Sequence, residues 1–184
     1  MKTIGFFGGS FDPIHFGHLN LAIQMLEKGG VDEILFCPAF CSPFKTNAPP
    51  FVSGQHRLEM IRRVIMEVPQ FRVTSMEIER NEPSFTIDTL RLLPHEGVKY
   101  RLILSEEAMA QFGFWKEPGE ILRLAPPLVG MRAGRTVPQR FPVVSMPLFD
   151  IASTEIRERF KKNFYCGHLV PRIALDYIRE HQLY

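Results

Sequence analysis

Short apolar runs that alternate with amphipathic segments constrain this chain more than any other feature of its sequence. Thr3 to Phe7, Glu33 to Cys37, Phe71 to Ser75 and Tyr100 to Leu104 are too short for buried helices and read as strands, and Pro127 to Gly130 and Pro142 to Ser145 add two more. Between them lie helical patterns. One runs from about Gly17 to Lys28 and is stopped by Gly29-Gly30; a second follows Ser53, an N-capping residue, through Glu67. Others cover Ser84 to Leu93, a short stretch after Leu104, and Pro118 to Leu124. Ser153 to Lys162 and Pro171 to His181 close the chain as helices, the second with proline at its start. Strands and helices in alternation predict an α/β protein, a three-layer α/β/α sandwich with a mostly parallel sheet and right-handed crossovers.

With 184 residues the chain forms one domain, 1–184, with the C-terminal helices over 153–184 packed on it as a small subdomain. A globule of this size buries roughly 70% of its unfolded surface, enough for a core without disulfide staples. A net charge of +2 gives no argument for nucleic acid or a membrane surface as partner. No apolar run reaches the roughly 20 residues of a membrane span, and the apolar start is too short for a signal peptide. The expected location is the cytoplasm, where Cys37, Cys41 and Cys166 remain thiols.

In an open parallel sheet the turn after the first strand is a favoured ligand position. Here it reads Gly8-Gly9-Ser10-Phe11-Asp12-Pro13-Ile14-His15-Phe16-Gly17-His18. The spacing matches neither the GxGxxG dinucleotide fingerprint nor the GxxxxGK[ST] phosphate loop. Gly8 and Gly9 still let backbone amides approach a bulky anion. His15 and His18 are three apart at a helix start, so they share a face beside free N–H groups that favour phosphate. Two imidazoles there can donate to phosphate oxygens and stabilise charge that grows during transfer. The competing readings are an ordinary helix start with incidental histidines, and a zinc site adding Cys166 and His168, which lacks HExxH geometry.

The segment GGSFDPIHFGH resembles the GxFDPxHxGH signature of the HxGH nucleotidyltransferase superfamily, and IASTEIR, from Ile151 to Arg157, resembles its ISSTxIR signature. Both occur in the superfamily's order. PSFTIDTL, from Pro83, is similar to the PSYTIDTL segment of bacterial nicotinate-mononucleotide adenylyltransferases. FWKEPGEIL around Trp115 and the ending LVPRIALDYIREHQLY are also similar to that family. The resemblance spans nearly the whole chain and implies a Rossmann-like fold. It further implies transfer of AMP from ATP to nicotinate mononucleotide, giving deamido-NAD and pyrophosphate. The alternatives are a pantetheine-phosphate adenylyltransferase and a non-catalytic nucleotide-binding module.

The same resemblance assigns roles. ATP would lie on Gly8, Gly9, Ser10, Phe11, His15, His18, Glu107, Ile151, Ser153, Thr154 and Arg157. The hydroxyls of Ser153 and Thr154, with Arg157, would hold the β- and γ-phosphates. His15, His18, Lys45 and Arg157 form the catalytic set. The acceptor would meet Asp12, Lys45, Phe85, Thr86 and Trp115, the Trp115 ring stacking on nicotinate and the amides of Phe85 and Thr86 reaching its carboxylate. Arg57 reads as at least half structural. Mg²⁺ would bridge the triphosphate, no protein metal cage is expected, and a homo-oligomer is left open. The chain departs from the family twice: Phe44 precedes Lys45 where histidine is usual, and Ser105-Glu106-Glu107 replaces Gly-Ala-Asp. Glu107 would reach a ribose from one methylene further away.

Overall fold

The computed structural model describes residues 1–43, 49–132, 141–147 and 149–184. Its six-stranded sheet has the order β3-β2-β1-β4-β5-β6, and every pairing is parallel. The strands are β1 (Lys2–Gly9), β2 (Glu33–Pro38), β3 (Phe71–Val73), β4 (Val98–Ser105), β5 (Pro127–Arg132) and β6 (Val143–Met146). All six predicted strands are present. The expectation of a mostly parallel sheet is sharpened to a fully parallel one among the described residues.

Period-two alternation sends neighbouring residues of one strand to opposite layers. Phe7 and Ile103 face one apolar cluster, with Phe11, Ile34 and Phe36. Phe6, Leu102 and Leu104 face the other, with Ile87, Leu90 and Ile121. Helices α1 (Phe16–Lys28), α2 (Gly54–Ile65), α7 (Ser153–Lys161) and α8 (Arg172–Glu180) supply the first layer. Helices α4 (Thr86–Leu92) and α6 (Pro118–Leu124) cover the second. Ile156, Ala174, Leu175 and Ile178 share a cluster with Phe7 and Ile14, so the C-terminal helices are part of the main core. Gly130 lets α1 lie close on β5: a Cβ there would collide with the side chains of Leu21, Met25 and Met146. Among the described residues no helix is long and apolar enough to cross a membrane.

Two local readings change. The strand expected over Phe71 to Ser75 stops at Val73, because the Thr74 hydroxyl accepts the Met76 N–H and turns the chain into the short α3 (Met76–Arg80). The helix expected from Ser84 begins only at Thr86, since the Ser84 hydroxyl is engaged by the Phe40 N–H. Helix α7 begins at Ser153 as expected, with Ala152 as its N-cap. Ser53 caps α2 as expected, by accepting the His56 N–H.

The sheet order reverses between β1 and β4, where successive crossovers lie on opposite faces. Their carboxyl ends part there and leave a crevice.

Candidate active site

The crevice is a cleft of about 880 Å³. Its lining includes Gly8, Ser10, Phe11, Asp12, His15 and His18 from the first turn, and Ile151, Ser153, Thr154 and Arg157 from the start of α7. Ser105, Glu106 and Glu107 at the end of β4 form another wall. A smaller cavity of about 170 Å³ adjoins it, lined by Gly8, Gly9, Phe85, Thr86 and Glu77, and Trp115 borders both.

Every expected site residue except Lys45 therefore lines one of these two cavities. Lys45 and Phe44 lie outside the described residues.

The first turn is held by buried charge. Phe11 sits at a positive φ of 48°, and its ring fills the space a Cβ on Gly9 would occupy. Arg57, 1% exposed, donates to the carbonyls of Ser10 (2.7 Å), Val52 (3.0 Å) and Phe40 (3.3 Å). Burial pushes its pKa down, and the negative charge of Asp12 acts in the opposite direction. The loops after β1 and β2 are thus tied to one guanidinium, which gives Arg57 the supporting role expected of it.

The two signature segments meet directly. Arg157 donates from Nη1 to the Asp12 carbonyl at 2.7 Å, and the Ser153 hydroxyl donates to the Pro13 carbonyl at 3.1 Å. Arg157 also reaches the Thr154 hydroxyl at 3.1 Å. Ser153 is therefore a brace between α7 and the first turn.

The two histidines form a stacked pair, with ring centroids 3.6 Å apart. The His15 N–H donates to Nδ1 of His18 (3.3 Å), so a neutral His18 carries its proton on Nε2. Gly17 makes room for this pair, since a Cβ there would meet the His15 ring at 3.0 Å. Burial lowers the His15 pKa to about 4, and burial followed by repulsion from His15 lowers that of His18. Both rings are neutral at pH 7 and offer N–H dipoles rather than full charges. His15 Nδ1 is buried and has no hydrogen-bond partner among the described residues.

The acceptor-side residues sit differently. The Phe85 N–H is already engaged by the Pro83 carbonyl at 3.1 Å, so the expected amide pair at Phe85 and Thr86 is reduced to Thr86. Phe85 and Thr86 are half-buried beside Trp115, whose ring packs on Phe112. Asp12, expected to meet the acceptor, is 3% exposed, and its carboxylate accepts the Phe51 N–H and the Tyr184 hydroxyl, each at 2.7 Å. Its visible work is internal. Ser105 caps α5 (Glu106–Ala110) by accepting the Ala108 N–H at 3.3 Å, and Glu107 is exposed on that helix at the cleft. Ser84, Glu77 and Tyr184 were not singled out from the sequence. Glu77 is buried, accepts the Thr89 hydroxyl at 2.6 Å, and with burial pushes the Cys37 thiol pKa up. Among the described residues no three His, Cys, Asp or Glu side chains gather as a metal site.

The sequence profile of the cytidylyltransferase-like family matches residues 6–159. The nicotinate-nucleotide adenylyltransferase of Bacillus subtilis (strain 168) is 36% identical over 188 aligned residues, covering 100% of this chain and 99% of its own. The chain belongs to this family. A probable nicotinate-nucleotide adenylyltransferase from Methylacidiphilum infernorum (isolate V4) is 35% identical, covering 100% of this chain and 94% of its own. The structure of Plasmodium falciparum nicotinic acid mononucleotide adenylyltransferase complexed with NaAD superposes with a TM-score of 0.81. It covers 100% of this chain and 97% of its own at 19% identity, a likeness of fold. As a member of the nicotinate-nucleotide adenylyltransferases the chain is a nucleotidyltransferase with a Rossmann-like α/β fold.

Proposed function

We propose that the chain transfers AMP from ATP to nicotinate mononucleotide, releasing pyrophosphate and forming deamido-NAD. The observation that carries this reading is the direct junction of the two signature segments, Arg157 on the Asp12 carbonyl across a separation of 145 residues. That junction puts a guanidinium, two hydroxyls and two imidazoles around one cleft at a sheet switch point.

The acceptor's own phosphate is an anion near neutral pH, so it attacks the α-phosphorus of ATP without a general base. What remains for the protein is in-line positioning and stabilisation of the leaving pyrophosphate. His18 Nε2–H and the His15 imidazole donate to phosphate oxygens, and Arg157 with the Thr154 hydroxyl takes the β- and γ-phosphates, while Ser153 keeps α7 on the first turn. Glu107 accepts from the ribose. Trp115, on the border of the second cavity, stacks on the pyridine ring, and the Thr86 amide faces its carboxylate. Mg²⁺ would come in with ATP, held by phosphate and water, and would neutralise phosphate charge; among the described residues no three His, Cys, Asp or Glu side chains gather as a cage for it.

Pyrophosphate release from ATP and Mg²⁺ is measured with nicotinate mononucleotide, its amide and phosphopantetheine in turn. Turnover is expected with the first. Turnover confined to phosphopantetheine, or ATP binding without any turnover, overturns the proposal in favour of a different acceptor or a binding module.

A further inference from the structure

We infer that Tyr184 is a positioning residue for Arg157 and acts on it through Asp12. The inference rests on the reading of the cleft as an ATP site. Asp12 is almost fully buried, and each carboxylate oxygen takes a separate donor, the Phe51 N–H on Oδ2 and the Tyr184 hydroxyl on Oδ1. The carbonyl of that same residue receives Arg157. The orientation of the Asp12 peptide therefore sets where the guanidinium stands, and the carboxylate fixes that peptide.

Two further contacts close the loop. The Tyr184 ring stacks on Phe160 of α7, with centroids 5.6 Å apart and planes 10° from parallel. Phe160 lies three residues after Arg157, on the same side of the helix. Phe51, held by Asp12, lays its ring under the Arg157 guanidinium at 4.8 Å. Tyr184 thus braces both the helix that carries Arg157 and the turn that receives it. Without the hydroxyl, Asp12 Oδ1 is left buried with no described donor, and a charge-assisted hydrogen bond of this kind is among the stronger ones in proteins. The turn then relaxes, and the guanidinium loses its fixed aim while the core packing of the ring survives in phenylalanine.

The test is a double-mutant cycle with Tyr184→Phe, Arg157→Ala and the pair, read on kcat for pyrophosphate release and on Mg-ATP affinity by calorimetry. Tyr184→Phe is expected to lower kcat about tenfold with an unchanged KM for the mononucleotide, and to cost less than about twofold once Arg157 is absent. Equal losses in both backgrounds, or an unaltered kcat, overturn the inference and leave Tyr184 a packing residue. If the wild-type protein gives no turnover the proposed reaction fails, and the same cycle read on ATP affinity alone still decides the positioning role: coupling supports it, additivity overturns it. Should Tyr184→Phe not fold, Asp12→Asn replaces it in the cycle and is expected to show the same coupling to Arg157.

Discussion

The two halves of the site are built by different means. On the phosphate side, Arg57, Asp12 and Arg157 are joined to backbone carbonyls and amides in buried or half-buried positions. On the acceptor side, α4 is tied to the Trp115 segment by surface pairs, Lys116 with Asp88 and Arg91 with Glu117. Buried charge with fixed partners holds a geometry at the cost of tolerance, whereas exposed pairs contribute little and can be exchanged. The difference matches the chemistry each side performs. Phosphoryl transfer needs donors fixed to within a fraction of an ångström, while a planar ring needs a surface to lie on.

Breaking the phosphate side should have the largest effect. Arg57→Met leaves the Ser10, Val52 and Phe40 carbonyls without their donor and Asp12 without its neighbouring cation, and is expected to cost about 3 to 5 kcal/mol in urea unfolding. Acid acts on the same half. The unfolded chain binds a proton at His15 near pH 6.5 and the folded chain only near 4, so unfolding takes up a proton between these values. Stability therefore rises with pH across that window, and the ligand-free protein is expected to lose roughly 3 kcal/mol on passing down through it. His18 acts in the same direction. Urea midpoints from pH 7.5 to 4 measure this, and His15→Asn, which takes up no proton in this range, should flatten the slope. Next comes His18→Ala, expected to lower kcat by about 10² or more in a folded enzyme, as loss of a transition-state donor does. Retained activity would remove the histidine from the chemistry.

On the acceptor side the effects should shrink. Trp115→Ala is expected to raise the KM for the mononucleotide roughly tenfold and leave that for ATP within about twofold, measured by initial rates. Lys116→Ala should cost less than about 1 kcal/mol in thermal melts. A larger loss there would erase the distinction between the two halves.

The fold was legible because its period is local: a run such as Tyr-Arg-Leu-Ile-Leu at 100–104 carries its strand signal within itself. The histidines and Arg157 were legible for another reason, as parts of ordered signatures. What escaped were contacts that only chain closure creates. The Tyr184 hydroxyl on Asp12 spans 172 residues, and nothing near either residue announces it. The resemblance assigned Asp12 to the acceptor, and sequence could not show that both its carboxylate oxygens are engaged inside the protein, by Phe51 and Tyr184. At Phe85 the sequence did not show the turn that engages its amide on Pro83. Met76–Arg80 is a single turn and too short to show a helical period.

Ser105 has a bearing on how such a site drifts over generations. Its hydroxyl oxygen accepts the Ala108 N–H of its own helix, and its side chain takes up room at the cleft wall that a glycine would leave open. Glycine at a helix N-cap is only a few tenths of a kcal/mol worse than serine. Selection on folding is therefore almost blind at this position, and a lineage can pass between a roomier and a narrower nucleotide wall without losing the protein on the way.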